Sequence, residues 1–198
     1  MKTRRGVRYL AGLAMAMFLS NSQMALAMEV GGVTMQDTVR LENQELKLNG
    51  AGVRIKIFFK VYALGLYLPE KKSSSAEILA LPGARRILIT MLRNVSSEDF
   101  SEAFISNLNA NSSEAERSAI SSQIIELNAM FSLIPGLKAG DVLTLDWLPG
   151  IGMQCQLNGK TIGKVVQSLP FYNAVLKIWI GYKPVDQALK LRLLGNKN

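Results

Sequence analysis

Residues 48–70, LNGAGVRIKIFFKVYALGLYLPE, constrain the fold more than any other part of the chain. They are rich in β-branched and aromatic residues, and apolar positions alternate with Arg54 and Lys56, which is the period of a β-strand with two unlike faces. The Gly-X-Gly at 50–52 opens a strand and not a helix. It therefore lacks the helix N-terminus on which a dinucleotide's pyrophosphate would bind. We predict sheet here, with glycines that serve the backbone.

Further strand patterns cover 85–92 and DVLTLDW at 141–147. The clearest local signal is Asn158-Gly159, which lies between two alternating segments. Asn-Gly is the preferred pair for a type I′ turn, since both central residues of that turn need positive φ. We therefore predict a β-hairpin around these two residues.

Helices are predicted where apolar residues recur every three or four positions after a capping residue or proline. The helix from Ser113 is expected to run unbroken to Pro135, and Trp147 and Trp179 are expected in the core. The predicted starts are Ser96, Ser113, Ser168 and Pro184, with a short further helix over 74–81. Strands, two helices, strands and two helices predict an α+β fold, a mostly antiparallel sheet with helices on one face.

The first 27 residues match a secretory signal peptide. A basic segment precedes the apolar run YLAGLAMAMFL, and Ala-Leu-Ala at 25–27 is a small-X-small cleavage site. The apolar run is too short for a stable membrane-spanning helix, and an uncleaved anchor is the alternative. We predict cleavage after Ala27, one domain over 28–198, a periplasmic location and no transmembrane segment after cleavage.

Charge and composition exclude several kinds of site. The chain has no histidine, so imidazole-based triads and histidine metal sites are impossible. The single cysteine, Cys155, excludes an internal disulfide, and it alternates with Met153 and Leu157 as a buried core residue would. We expect no metal and no cofactor.

Signal-peptide removal also lowers the net charge. The balance of 23 basic against 15 acidic residues becomes 19 against 15, a net charge of +4. No basic cluster longer than Lys71-Lys72 is left, so we expect no nucleic-acid partner.

Arg54 is the residue that most needs an explanation. Arginine does not lose its proton in proteins, so an arginine directed into an apolar cleft must find an anion, and its planar fork fits a carboxylate. The alternatives are a solvated sheet edge or pairing with Glu70 or Asp99. Tyr62 is the natural helper, because it is a neutral donor on an apolar ring.

Whether Arg54 and Tyr62 can act together depends on the backbone between them. A straight strand would separate their Cα atoms by roughly 26 Å, whereas a chain folded back near Phe58 would make them cross-strand neighbours. The letters IFF contain no turn residue, so the sequence leaves both possibilities open.

Five segments, in order along the chain, resemble the chalcone isomerase superfamily: LNGAGVR, FKVYALGLYL, LRNVSSEDFSEAFISNL, NGKTIGK and AVLKIWIG. The resemblance is greatest to exported bacterial chalcone-isomerase-like proteins, and it spans nearly the whole mature chain. It implies the chalcone isomerase fold, an open-faced β-sandwich in which a large antiparallel sheet and a layer of helices enclose a ligand cleft.

The resemblance implies only part of an isomerase site. Arg54 and Asn107 match the isomerases' arginine and asparagine, whereas their tyrosine, lysine and a later hydroxyl residue fall on Phe100, Met91 and Ile178. Ring closure by attack of a phenolate on an enone needs a cation and a hydroxyl-linked water to stabilise the enolate. The hydroxyl network is missing, so we do not expect flavonoid cyclisation.

The fatty-acid-binding branch of the superfamily fits better. It holds a carboxylate with the equivalent arginine and a tyrosine in a KVYA-like stretch, which match Arg54 and Tyr62. Phe100 and Met91 are expected as pocket walls. Asn107 shares a helix face with Phe100, although a helix-end or solvated position is the alternative for Asn107.

We therefore predict a non-catalytic periplasmic binder of a fatty acid or similar apolar carboxylate. The alternatives are an isomerase or intramolecular lyase that uses Arg54 and Asn107 on an unknown substrate, and an envelope interaction protein with a vestigial cleft.

Overall fold

The computed structural model describes residues 27–196. The predicted signal peptide lies outside the described residues except for Ala27, the first residue of β1. The structure contains a two-stranded and a seven-stranded antiparallel sheet, and the larger one runs β3 to β9 in chain order. The strands are β1 Ala27–Val30, β2 Val33–Gln36, β3 Thr38–Leu41, β4 Gln44–Lys56, β5 Phe59–Leu68, β6 Arg85–Met91, β7 Val142–Leu148, β8 Gly152–Leu157 and β9 Lys160–Val166.

Six helices connect or follow these strands within the described residues. They are α1 Ser75–Ala80, α2 Ser97–Ala110, α3 Glu114–Ala119, α4 Ser121–Ser132, α5 Leu169–Ile180 and α6 Gln187–Leu193. Ser96, Ser113 and Ser168 cap α2, α3 and α5 with their side chains, as predicted. None of the described helices is both long and apolar enough to cross a membrane.

Two helix predictions were wrong. The helix predicted from Ser113 to Pro135 breaks at Ile120, a buried β-branched residue whose dihedrals (φ −113°, ψ 14°) leave the helical region. The last helix begins at Gln187 and not at Pro184. The side chain of Asp186 accepts a hydrogen bond from the backbone N–H of Leu189, and aspartate is among the best N-cap residues.

The two faces of the large sheet bury different side chains. On β5, Leu64 and Leu66 point into the larger core beneath the helices, whereas Ala63 and Tyr67 join a smaller core on the opposite face. The β1–β2 hairpin packs against β4 on that second side. The predicted α+β fold, an antiparallel sheet covered by helices, is confirmed.

The β8–β9 hairpin is also confirmed. Asn158 and Gly159 both have positive φ, 51° and 76°, as a type I′ turn requires. Cys155 on β8 is buried, and burial raises the pKa of its thiol to about 12.

The β4–β5 hairpin decides the geometry of the candidate site. The chain folds back at Ile57 and Phe58, and Arg54 pairs directly with Tyr62 across the two strands. Ile55 pairs with Lys60, so Val61 is an extra residue in β5 and forms a β-bulge beside Arg54. Of the two possibilities that the sequence left open, the folded-back chain is therefore the one observed.

Candidate functional site

A cleft of about 680 Å³ lies between the end of the β4–β5 hairpin and helix α2. Arg54 and Lys56 contribute from β4, Phe59 from β5, and Asp99 and Phe100 from the first turns of α2. We call this space the outer cleft. Its volume falls within the range that small-molecule sites occupy, about 300–1,000 Å³.

A smaller cavity of about 20 Å³ lies deeper, toward α5. Tyr62 and Trp179 line this inner cavity, whereas Arg54, Phe100 and Asn107 line both spaces. The inner cavity has room for about one water molecule or a few headgroup atoms. Arg54 thus lies at the boundary between the two spaces.

The Arg54 guanidinium forms no ion pair with any residue in 27–196, and its Nε is buried without an acceptor. Neither acid considered as a partner neutralises it, since Glu70 pairs with Lys72 and Asp99 accepts a hydrogen bond from Ser96. A buried cationic donor without an acceptor is costly, so this one calls for an explanation.

Tyr62 lies beside this cation. The Arg54 Cζ is 5.5 Å from the centre of the Tyr62 ring, within cation–π range. The Tyr62 hydroxyl accepts a hydrogen bond of 2.8 Å from Trp179 Nε1. Burial raises the pKa of Tyr62, and the Arg54 charge and the Trp179 hydrogen bond only partly oppose this. The phenol is therefore neutral at neutral pH and keeps a hydrogen to donate.

The other three predicted site residues occupy different places. Phe100 lines both cavities and packs edge-on against Phe131, with ring centroids 5.2 Å apart. Asn107 also lines both, but its Nδ2 donates to the carbonyl of Ala103 one turn earlier, 2.6 Å away. Met91 is buried in the core at the register position opposite Tyr62, and it lines neither cavity.

Sequence reasoning missed three contributors. Lys56 and Arg93 also line the outer cleft, and Arg93 Cζ is 4.8 Å from the centre of the Phe59 ring. Trp179 is buried as expected, but it also positions the Tyr62 hydroxyl. The letters KIFFK were the available signal, since apolar residues between two lysines are unusual at a hairpin tip.

The charge balance of the outer cleft is slightly positive. Three cations, Arg54, Lys56 and Arg93, face two acids, Asp99 and Glu102, both on α2. Within residues 27–196 no group of three or more cysteine, aspartate or glutamate side chains is arranged to hold a metal ion.

A second groove, of about 340 Å³, provides a useful contrast. It lies between α4 and the β8–β9 hairpin, and Leu127, Met130 and Met153 line it together with one cation, Lys164. Lys164 is exposed, so water already solvates its charge. This groove is apolar but offers no desolvated cation.

Comparison with known proteins identifies the family. The family model described as chalcone isomerase-like matches residues 27–195. The chain belongs to the chalcone isomerase-like family. The resemblance to the chalcone isomerase superfamily that was noted in the sequence is therefore confirmed.

A solved structure supports the same fold. A fatty-acid binding protein of Arabidopsis thaliana is 15% identical and superposes with a TM-score of 0.64, covering 83% of this chain and 93% of that one. At this identity the likeness concerns the fold. A comparison with curated protein sequences found no match.

Proposed function

We propose that this chalcone isomerase-like protein binds a fatty acid or a similar apolar carboxylate, with the carboxylate on Arg54. The observation that carries this proposal is the buried Nε of Arg54, which has no acceptor among the described residues. A carboxylate accepts two parallel hydrogen bonds from a guanidinium and also balances its charge, which a neutral acceptor would not do.

Tyr62 supplies a second donor. Its hydroxyl already accepts from Trp179, so its own hydrogen is left to point toward a carboxylate oxygen in the inner cavity. Burial holds the pKa of Tyr62 above its usual value, so the phenol remains a donor beside the bound anion. The pairing of Arg54 with Tyr62 across the hairpin brings both donors to one headgroup.

The hydrocarbon chain belongs in the outer cleft, because the inner cavity of about 20 Å³ is too small for it. Phe59, Val61, Val95 and Phe100 supply an apolar wall that leads from Arg54 toward the hairpin tip. A carboxylate at the bottom and an apolar tail along this wall would satisfy both kinds of surface.

We further propose that the protein is a carrier and not a catalyst, and that it works in the periplasm after cleavage following Ala27. Phe100 and Ile178 line the inner cavity where the isomerases of this superfamily carry hydroxyl groups, so nothing at those positions would hold a water on a developing enolate. The fatty-acid binding protein of the same fold supports a binding role.

Extraction of the purified protein with organic solvent, followed by mass spectrometry, tests the proposal. Wild-type protein is expected to yield a long-chain carboxylic acid, and Arg54→Ala is expected to yield none. Arg40→Ala is the matched control, because Arg40 is an exposed arginine on β3 outside the cleft.

A titration of delipidated protein with a fatty acid then gives the affinity. We expect Arg54→Ala to bind at least about tenfold more weakly than wild type, since a hydrogen bond to a charged group contributes about 1.5–3 kcal/mol. Equal affinities for wild type and Arg54→Ala, or an empty extract with no measurable affinity, would overturn the proposal.

A further inference from the structure

The tip of the β4–β5 hairpin exposes three consecutive large apolar side chains. Ile57, Phe58 and Phe59 are 75%, 90% and 58% exposed, and Ile55 beside them is also exposed. Single exposed apolar residues are ordinary on protein surfaces, but a contiguous projecting group usually marks an interaction site. We call residues 55–59 the apolar tip.

The backbone at this tip is strained. Ile57 has a φ of 59°, which a β-branched residue rarely adopts because its side chain crowds the backbone there. Glycine or asparagine would relax the turn, as Asn158 and Gly159 do in the β8–β9 hairpin. The isoleucine therefore indicates that this position needs an apolar side chain more than it needs a stable turn.

Exposed cations surround the apolar tip. Lys56 and Lys60 lie on the two strands of the hairpin, and Arg93 stacks on the ring of Phe59. The sequence has no acidic residue from 46 to 69, so the charged residues of the hairpin near its tip are all basic. The acids of the neighbourhood are Asp99 and Glu102, on α2 across the outer cleft, and Asp186, whose side chain accepts a hydrogen bond of 3.1 Å from the backbone N–H of Ile55.

We infer that the apolar tip inserts into the surface of a membrane that contains anionic lipids. Ile57, Phe58 and Phe59 would enter the boundary between headgroups and acyl chains while Lys56, Lys60 and Arg93 contact lipid phosphates. Surface binding of this kind needs both an apolar group and nearby cations, because either alone is too weak. The chain supplies both within one hairpin and the adjoining loop.

A protein partner or a second copy fits this surface less well. A stable protein–protein contact buries about 800 Å² on each side, whereas the apolar tip is a two-residue turn with a few neighbours. A bilayer needs no complementary shape, and its anionic headgroups match the positive charge around the tip.

Docking by this tip would also orient the cleft. Ile57 and Phe59 line the mouth of the outer cleft, so the mouth would face the bilayer when the tip is inserted. An apolar carboxylate could then move between bilayer and cleft with little exposure of its tail to water. This transfer step rests on the proposed function, whereas the docking itself does not.

Co-sedimentation with vesicles tests the inference. The protein is recovered after export, so that all variants carry the same N-terminus, and it is mixed with vesicles of phosphatidylglycerol and phosphatidylcholine in about equal amounts or of phosphatidylcholine alone. Binding to the mixed vesicles, weakened by added salt, is the expected result for wild type. Absence of binding to the mixed vesicles, or equal binding to both kinds, overturns the inference.

Two variants locate the contact. Phe58→Ser is expected to weaken binding about tenfold through loss of buried apolar area, and Lys60→Gln about fivefold through loss of one charge at an anionic surface. Neither residue lines the cleft. Leu133→Ser is the matched control, since Leu133 is a 78% exposed apolar residue at the end of α4.

Ile57→Asn tests whether weakened vesicle binding comes from misfolding. Asparagine tolerates the positive φ at this position, so the variant is expected to fold. It is expected to raise the melting temperature while weakening vesicle binding. Unchanged binding by Phe58→Ser, an equal loss in Leu133→Ser, or self-association that Phe58→Ser abolishes without any vesicle binding contradicts the inference.

The two proposals can fail separately. Arg54→Ala is expected to lose the fatty acid in solution and to keep vesicle binding, whereas Phe58→Ser should do the opposite. Wild-type protein that binds vesicles but no fatty acid would leave docking standing and remove the proposed function. Protein that binds a fatty acid but no vesicles would leave the proposed function standing and overturn the docking inference.

Discussion

Arg54 and Arg86 lie on the same sheet, but among the described residues only Arg86 has a carboxylate partner. Arg86 on β6 donates to both carboxylate oxygens of Asp146 on β7, with both distances at 2.7 Å. Arg54 on β4 contacts the face of Tyr62, and its Nε has no acceptor among the described residues. An arginine whose guanidinium already pairs with a carboxylate holds strands together, whereas one that adjoins a cavity and has no carboxylate partner is available to a ligand.

Arg85 limits this lesson. It is only 1% exposed and has no carboxylate partner, and its Nε, like that of Arg54, is buried without an acceptor. One of its terminal nitrogens donates to the carbonyl of Ile78 and to Asn173, and its guanidinium lies over the ring of Tyr172. Burial lowers the pKa of Arg85. Arg85 lines neither the outer cleft nor the inner cavity. The absence of a carboxylate therefore indicates a binding residue only where a cavity adjoins the cation.

The largest expected effect comes from the pair of Arg86 and Asp146. Asp146→Ala leaves the Arg86 cation partly buried without its partner, so we expect the free energy of unfolding to fall by about 3–5 kcal/mol. Urea denaturation measures this loss of free energy. Glu45→Ala is the control, because Glu45 is exposed on β4. A loss no larger than that of the control would remove the structural role assigned to Arg86.

Tyr62→Phe tests the donor network beside Arg54. It leaves Trp179 Nε1 buried without an acceptor, and we expect the free energy of unfolding to fall by about 1–3 kcal/mol. Tyr182→Phe is the matched control because Tyr182 is exposed. Equal stability of the two variants in urea denaturation would show that the hydrogen bond to Tyr62 is not needed.

Arg54→Met is expected to stabilise the protein without ligand. The variant removes a buried donor that has no acceptor and keeps an apolar side chain of similar length, so we expect a gain of about 1 kcal/mol in the free energy of unfolding.

Arg86→Met is the informative comparison, since it leaves the Asp146 carboxylate buried and should destabilise. Thermal or urea denaturation of both proteins after delipidation shows whether each substitution raises or lowers the free energy of unfolding. If both substitutions change the free energy of unfolding in the same direction, the contrast between Arg86, which pairs with a carboxylate, and Arg54, which does not, is wrong.

The smallest effect is expected at an exposed pair. The hydrogen bond from Lys177, and then that from the Ser113 backbone, lowers the pKa of Glu116. A folded-state pKa below the unfolded value of 4.5 gives stability that is present above pH 4.5 and is lost as the pH falls through the folded pKa.

Lys177→Met should therefore cost less than about 1 kcal/mol at pH 7 and weaken the loss of stability below pH 4.5. Denaturation at several pH values measures both quantities. An unchanged acid dependence would show that other groups lower the pKa of Glu116.

Local sequence rules predicted the parts of the fold that local chemistry controls. Asn158-Gly159 predicted a hairpin because those residues accept positive φ, and serine caps predicted three helix starts. The β4–β5 turn could not be predicted in the same way, since Ile57 violates the turn preferences that make such turns recognisable.

Two central residues of the candidate site could be named from the sequence, whereas its geometry could not be predicted. Arg54 and Tyr62 came from the chemistry of a lone arginine and from the family resemblance, but their contact depends on the turn at Ile57. The Trp179–Tyr62 hydrogen bond joins residues 117 positions apart, and the Arg86–Asp146 pair spans 60. No local pattern encodes such pairs, because they arise only when the sheet and helices pack.

The most direct test of the account compares a long-chain fatty acid with the alcohol of the same chain length by calorimetric titration. Wild-type protein should bind the acid more tightly by at least about tenfold, because only the carboxylate fills the Arg54 fork. Arg54→Met should lose this preference and bind both ligands with similar, weak affinity. A preference for the acid that survives in Arg54→Met would contradict the account.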